Sequence, residues 1–165
     1  MRILFFLFLS ILVSSCSSVG QIKPTQREIN NSFSSESDYN LIWSAVQQWM
    51  LTENIPISRV DRDGGFVYAE YSPTDAFGVM DCGRVEGRMG FSSARIQGLN
   101  VKLSLMFIKV DNKVEISINV FGEATAAIRD LMTDSQLSGS MKLICFSTGK
   151  LESKLEQHLM TSKII

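Results

Sequence analysis

Leu99-Asn100-Val101-Lys102-Leu103-Ser104-Leu105-Met106-Phe107-Ile108-Lys109-Val110-Asp111-Asn112-Lys113-Val114-Glu115-Ile116-Ser117-Ile118-Asn119-Val120 is the most regular stretch of the chain. Val101, Leu103, Leu105 and Phe107 fall on one face of an extended segment. Asp111-Asn112-Lys113 turns the chain. Val114, Ile116, Ile118 and Val120 then carry the same alternation along a second strand, which runs on toward Ala126. The centre of the sequence therefore predicts a β-hairpin.

Helical periodicity flanks that hairpin on both sides. Leu41, Ile42, Ala45, Val46 and Trp49 put one apolar face on a helix over 38–52. Ser35, Ser37 and Asp38 offer capping oxygens at its start, and Asn54 and Pro56 end it. Near the C-terminus, Leu151, Leu155 and Leu159 form an i, i+4, i+8 stripe on a helix over 149–160, with Ser147 or Thr148 as its cap. Between the first helix and the central hairpin, Ile57–Asp61 and Phe66–Tyr71 read as two short strands. Asp61-Arg62-Asp63-Gly64-Gly65 forms the turn joining them. Residues 72–80 read as a loop. Residues 83–91 read as a strand weakened by Gly83, Gly87 and Gly90. Residues 128–141 are ambiguous, with a short helix in the first half and a loop in the second. The expected fold is α+β: an antiparallel sheet of about 4–6 strands, packed on one face by an N-terminal and a C-terminal helix.

The N-terminus follows different rules. Arg2 precedes an apolar run from Ile3 to Val13. Eleven helical residues span roughly 17 Å, well short of the ~30 Å of a hydrocarbon core. That is the shape of a signal peptide. Val13-Ser14-Ser15-Cys16 then resembles the lipobox of bacterial lipoproteins: an aliphatic residue, two small residues and a cysteine. A chance cysteine after an ordinary secretory signal is the plainer alternative. The resemblance implies cleavage before Cys16, a diacylglycerol on its sulfur and an acyl chain on its new amine. Two or more acyl chains anchor a protein firmly without a membrane-spanning segment. By similarity to Gram-negative lipoproteins, Ser17 implies sorting to the outer membrane, facing the periplasm.

Cleavage there would remove residues 1–15 and leave 150 of the 165 residues. Only Arg2 is charged among those removed, so 15 basic face 17 acidic residues. Such a balance does not suit a nucleic-acid binder. Residues 16–37 read as the lipidated cysteine and a flexible tether, rich in Ser, Asn and Gln. About 20 such residues reach roughly 25 Å. Residues 38–165 form the single folded domain.

Once Cys16 is lipidated, Cys82 and Cys145 are the remaining cysteines. The compartment implied by the lipobox preserves disulfides, and a Cys82–Cys145 bond is predicted, joining the start of a strand to the residues just before the C-terminal helix; two buried free thiols are the alternative. The run Tyr39-Asn40-Leu41-Ile42-Trp43, followed by Ile57–Val67 with its Asp-Arg turn, resembles one helix-grip unit of the BamC lipoproteins of the outer-membrane β-barrel assembly complex. The ending Cys145-Phe146-Ser147-Thr148-Gly149-Lys150-Leu151-Glu152 is similar to small, uncharacterised bacterial lipoproteins. These likenesses imply a fold and a compartment, and no functional residue.

No catalytic constellation emerges. His158 is the sole histidine, near a helix end, where a solvated residue meeting the helix dipole is the ordinary reading. Asp61-Arg62-Asp63-Gly64 lacks the glutamate of a calcium loop, since Ser72 stands at the twelfth position. Thr148-Gly149-Lys150 lacks the order of a phosphate loop. The methionines show no metal-binding spacing. No metal and no cofactor beyond the acyl chains on Cys16 is expected. Arg84, Arg88 and Arg95 could face an anionic lipid, glycan or protein partner, although solvated strand edges carry such charges as well. The expectation is a non-enzymatic adaptor in envelope assembly or maintenance, with an envelope protein as partner. A carrier of a small apolar ligand, held between helices and sheet, is the alternative.

Overall fold

A computed structural model describes residues 20–86, 92–130 and 136–165. Its centre is the hairpin expected from the alternation, and it is longer than expected. Strand β7 (Ser92–Val110) pairs antiparallel with β8 (Lys113–Asp130) from Val110↔Lys113 back to Ser92↔Asp130. Nineteen residues at ~3.3 Å each make β7 about 60 Å long. Asp111 turns the chain with a φ of 53°. Val101, Leu103, Leu105 and Phe107 on β7 are buried, as are Val114, Ile116, Ile118 and Val120 on β8.

Other strands extend the sheet on both sides. β3 (Arg59–Asp61) pairs with β4 (Phe66–Tyr71), and β4 pairs with β7. The turn between β3 and β4 depends on glycine. Gly65 has a φ of +66°, and a side chain there would run into the Phe107 carbonyl oxygen. Gly65 accepts the Phe107 N–H at 2.8 Å, which pins the turn to the long hairpin. The carboxylate of Asp61 accepts the Gly64 N–H at 2.9 Å.

On the other edge of β8, the first half pairs with β2 (Ser32–Ser35) and the second half with β9 (Gln136–Ser147). β5 (Met80–Asp81) closes the far side of β9. The main sheet has seven strands, and β1 (Gly20–Ile22) with β6 (Arg84–Glu86) forms a second sheet of two.

Helix α1 (Tyr39–Thr52) starts where Asp38 accepts the Asn40 N–H at 2.8 Å. It buries Ile42, Trp43, Ala45, Val46, Trp49 and Met50. Helix α2 (Ala76–Val79) is a single turn. Helix α3 (Lys150–Thr161) buries Leu151, Leu155 and Leu159. Each such leucine contributes roughly 1.5–3 kcal/mol on leaving water. The two long helices and the inward strand residues form one core cluster. Trp43 and Phe107 meet within it, their ring centroids 5.2 Å apart. The α+β architecture is the one expected, but the main sheet has seven strands rather than about 4–6, because Ser32–Ser35 and Met80–Asp81 join its edges. Among the described residues, no helix is long and apolar enough to cross a membrane.

Five local expectations are corrected. Ser32–Ser35 is not tether but a strand, with Phe33 buried against the core and the Ser35 hydroxyl donating to the Ile164 carbonyl. Gly20–Ile22 is likewise paired rather than loose. The loop expected over 72–80 contains α2 and the start of β5. Residues 136–141 lie in β9, not in a loop. The cap of α3 is Gly149 itself, with a φ of 87° and no side-chain cap bond. Ser147 still serves this end, since its hydroxyl accepts the Gly149 N–H at 3.1 Å and donates to the Glu152 carboxylate at 2.9 Å.

Candidate interaction surface

The period of two that buries one face of the sheet exposes the other. Cross-strand register arranges that outer face in rows. Phe66, Met106 and Ser117 stand side by side on β4, β7 and β8. Tyr68, Ser104 and Asn119 form the next row. Glu70, Lys102, Phe121 and Phe146 form a third, which reaches β9. Glu123 and Ile144 follow. Phe121 is 62% exposed, Ile144 and Ile108 each 50%, and Met106 44%. Large apolar side chains thus alternate with Ser, Asn, Lys and Glu across several strands.

The polar members are ordered among themselves. Glu70 accepts from the Asn100 amide at 2.5 Å and from the Tyr68 hydroxyl at 3.1 Å. Those two bonds, Asn100 first, hold the Glu70 carboxyl below its ordinary range. Partial burial, then the bond to Glu70, pushes the Tyr68 phenol up. Lys102 lies 3.7 Å from Glu123. Apolar area with pre-positioned hydrogen-bonding groups suits a protein partner.

Three of the clefts formed by the described residues bring charged or phenolic side chains together. The first, of about 580 Å³, sits between the start of α1 and the β3–β4 turn, with Tyr39, Arg62, Phe107 and Lys109 among its walls. Tyr39 donates to the Arg62 carbonyl at 2.7 Å, and the Lys109 ammonium lies 4.3 Å from the centre of its ring. The second, of about 240 Å³, opens where β2 stops and β9 begins along β8. Glu152, 3% exposed, lies in its wall, its carboxylate held by Ser147. The third, of about 270 Å³, lies between Tyr71, Asp75 and the start of α3. There Lys150 bonds Asp75 at 2.8 Å and holds its carboxyl below the ordinary range. Burial first, then the charge of Glu53, pushes the Tyr71 phenol up to about 12.

Cys82 and Cys145 are joined by a disulfide. Cys145 lies on β9 opposite Gly122 of β8, and Cys82 sits between β5 and β6. Arg84 is exposed on β6, and Arg95 is exposed on the far half of β7. They sit on strands of different sheets. Arg88 and Cys16 lie outside the described residues. His158 is half-buried rather than solvated, and its Nε2 is buried without a hydrogen-bond partner among the described residues. Asp61-Arg62-Asp63-Gly64 is a turn whose first carboxylate bonds the backbone. No group of three or more potential metal ligands occurs among the described residues.

Alternation places Phe66 and Tyr68 on one face of their strand, but sequence reasoning assigned the outer-face aromatics no role. The available signal was a second apolar period on β9, where Ile144 and Phe146 sit out of phase with Leu143 and Cys145. Compared with models of protein families, with curated proteins and with solved structures, the chain shows no match.

Proposed function

We propose that this chain is a lipid-anchored envelope protein that acts without catalysis, as an adaptor between the membrane and a protein partner. The anchor is Cys16, acylated on its sulfur and amine. The compartment is the outer membrane, facing the periplasm. The observation that carries the adaptor role is the exposed outer face around Phe66, Met106, Phe121 and Ile144. The lipobox and the disulfide both support a compartment beyond the inner membrane.

The adaptor reading is favoured over the carrier reading by the packing between helices and sheet. Ile42, Val46 and Leu155 on the helices, and Leu103, Leu105, Ile116 and Ile118 on the strands, are all fully buried against one another. Two experiments test the proposal. Mass spectrometry of the membrane-extracted protein should find residues 1–15 removed and acyl chains on Cys16; an unacylated Cys16 sinks the anchor. Crosslinking in intact membranes should capture a defined envelope protein, and Phe121→Ser with Ile144→Ser should abolish that product. Capture that survives both substitutions removes the outer face from the role.

A further inference from the structure

Only four peptide steps separate Cys16 from Gly20, where β1 begins. At ~3.5 Å per residue they span at most about 14 Å. Beyond them the chain is fastened at every stage. β1 pairs with β6 through Gly20↔Glu86 and Ile22↔Arg84. The Gln21 amide donates to the carbonyls of Cys82 and Ile144, each at 2.8 Å, and accepts the Ile144 N–H at 3.2 Å. One side chain therefore takes the place of a strand along this part of β9, beside the disulfide. The Ile22 carbonyl and Pro24 then lie so close to Gly83 that no side chain fits there. Asn30 bonds Glu156 at 3.2 Å, and Asn31 accepts the Ile118 N–H at 2.9 Å before β2 enters the sheet.

We propose that the domain is held against the bilayer, with β1, β6 and the adjoining part of β9 facing the phospholipid headgroup layer. It rests on the reading of Cys16 as the lipidated residue. The expected tether of about 25 Å shrinks to about 14 Å, because the residues assigned to it are folded into the domain. Ile22, Lys23, Arg84 and Lys142 are exposed at this end, and ammonium and guanidinium groups suit headgroup phosphates. Arg27 is engaged with Asp81 at 4.0 Å. The β7–β8 turn is remote. Ile144 pairs with Glu123, and ten residues of β8 at ~3.3 Å place Lys113 about 33 Å from that level.

Neutron reflectometry on a supported phosphatidylcholine–phosphatidylglycerol bilayer tests this. Protein extracted from cell membranes and reconstituted there should show density beginning within about 15 Å of the headgroups. A Gly-Ser insert of about 20 residues between Val19 and Gly20 should open a hydrated gap of roughly 25 Å. A gap of that width without the insert overturns the proposal. Mass spectrometry of the extracted protein reads the anchor separately. If Cys16 carries no lipid, the anchor reading fails. Coupling the Cys16 thiol of the chain from Cys16 onward to a maleimide lipid then still measures the same gap.

Discussion

Opening the Cys82–Cys145 bond should cost the domain about 4 kcal/mol. The two residues stand 63 positions apart, and the loop they close contains β6, β7, β8 and most of β9. The chain-entropy relation for a loop of that length gives near 14 cal/mol/K for the unfolded chain, or about 4 kcal/mol at 25 °C. Both cysteines are buried, and a buried thiol behaves as a small apolar group, so freeing them adds little desolvation cost. The effect should therefore lie almost wholly in the unfolded state. Trp43 and Trp49 are the two tryptophans of the chain and both are buried, so their fluorescence reports unfolding. Urea unfolding should be compared for the oxidised protein, the reduced protein and the Cys82→Ala/Cys145→Ala variant. The expected loss is about 3–5 kcal/mol, with a larger denaturant slope because the opened chain expands. The midpoint of thermal unfolding should fall on the order of 14 °C. A difference below about 1 kcal/mol would refute the reasoning. Thiol titration of the denatured, unreduced protein checks the premise, since two reactive thiols from this pair would remove the bond.

Gly65→Ala forces a side chain into a positive φ and against the Phe107 carbonyl oxygen, so urea melts should show a loss of about 1–3 kcal/mol. Leu155→Ala empties a fully buried site on α3 and should cost about 2–5 kcal/mol by the same assay. Phe121→Ser leaves the core intact and should change stability by less than about 0.5 kcal/mol, while a larger loss would mean that this face is packed against something. Tyr71 should be the last tyrosine to ionise in an ultraviolet titration, with a midpoint of about 12. Because its folded value is raised, its contribution to stability is complete below about pH 10 and is lost as pH climbs from 10 through 12. Tyr71→Phe should remove that part of the alkaline loss.

Local periodicity made α1, β4, the β7–β8 hairpin and α3 legible, because each carries its apolar residues at one clear spacing. The disulfide partners were legible by elimination once Cys16 was assigned to lipid. β9 was hidden because Ile144 and Phe146 are apolar on the exposed side, which blurs the alternation of Leu143 and Cys145. β2 was hidden because a single apolar residue, Phe33, carries it within a polar stretch. Its strand character comes from a partner in β8, and no local pattern encodes that. The outer face is a property of register. Phe121 and Phe146 become neighbours only when β8 and β9 pair, so no reading of either segment alone would have joined them.

The pairing of β2 sets an order on folding. Ser32 meets Ser117, 85 positions further on, so their pairing closes a longer loop than any other strand pairing among the described residues. Contacts of such separation form after the local ones, because the entropy of closure must be met before they can contribute. The β7–β8 hairpin must exist before there is an edge for β2 to join. In a chain made from its N-terminus, one of the first strands to emerge is therefore among the last to dock. Where such late contacts form after the rate-limiting barrier, they act by slowing its reverse crossing. Phe33 and its strand are then expected to govern how long the folded domain lasts more than how fast it forms.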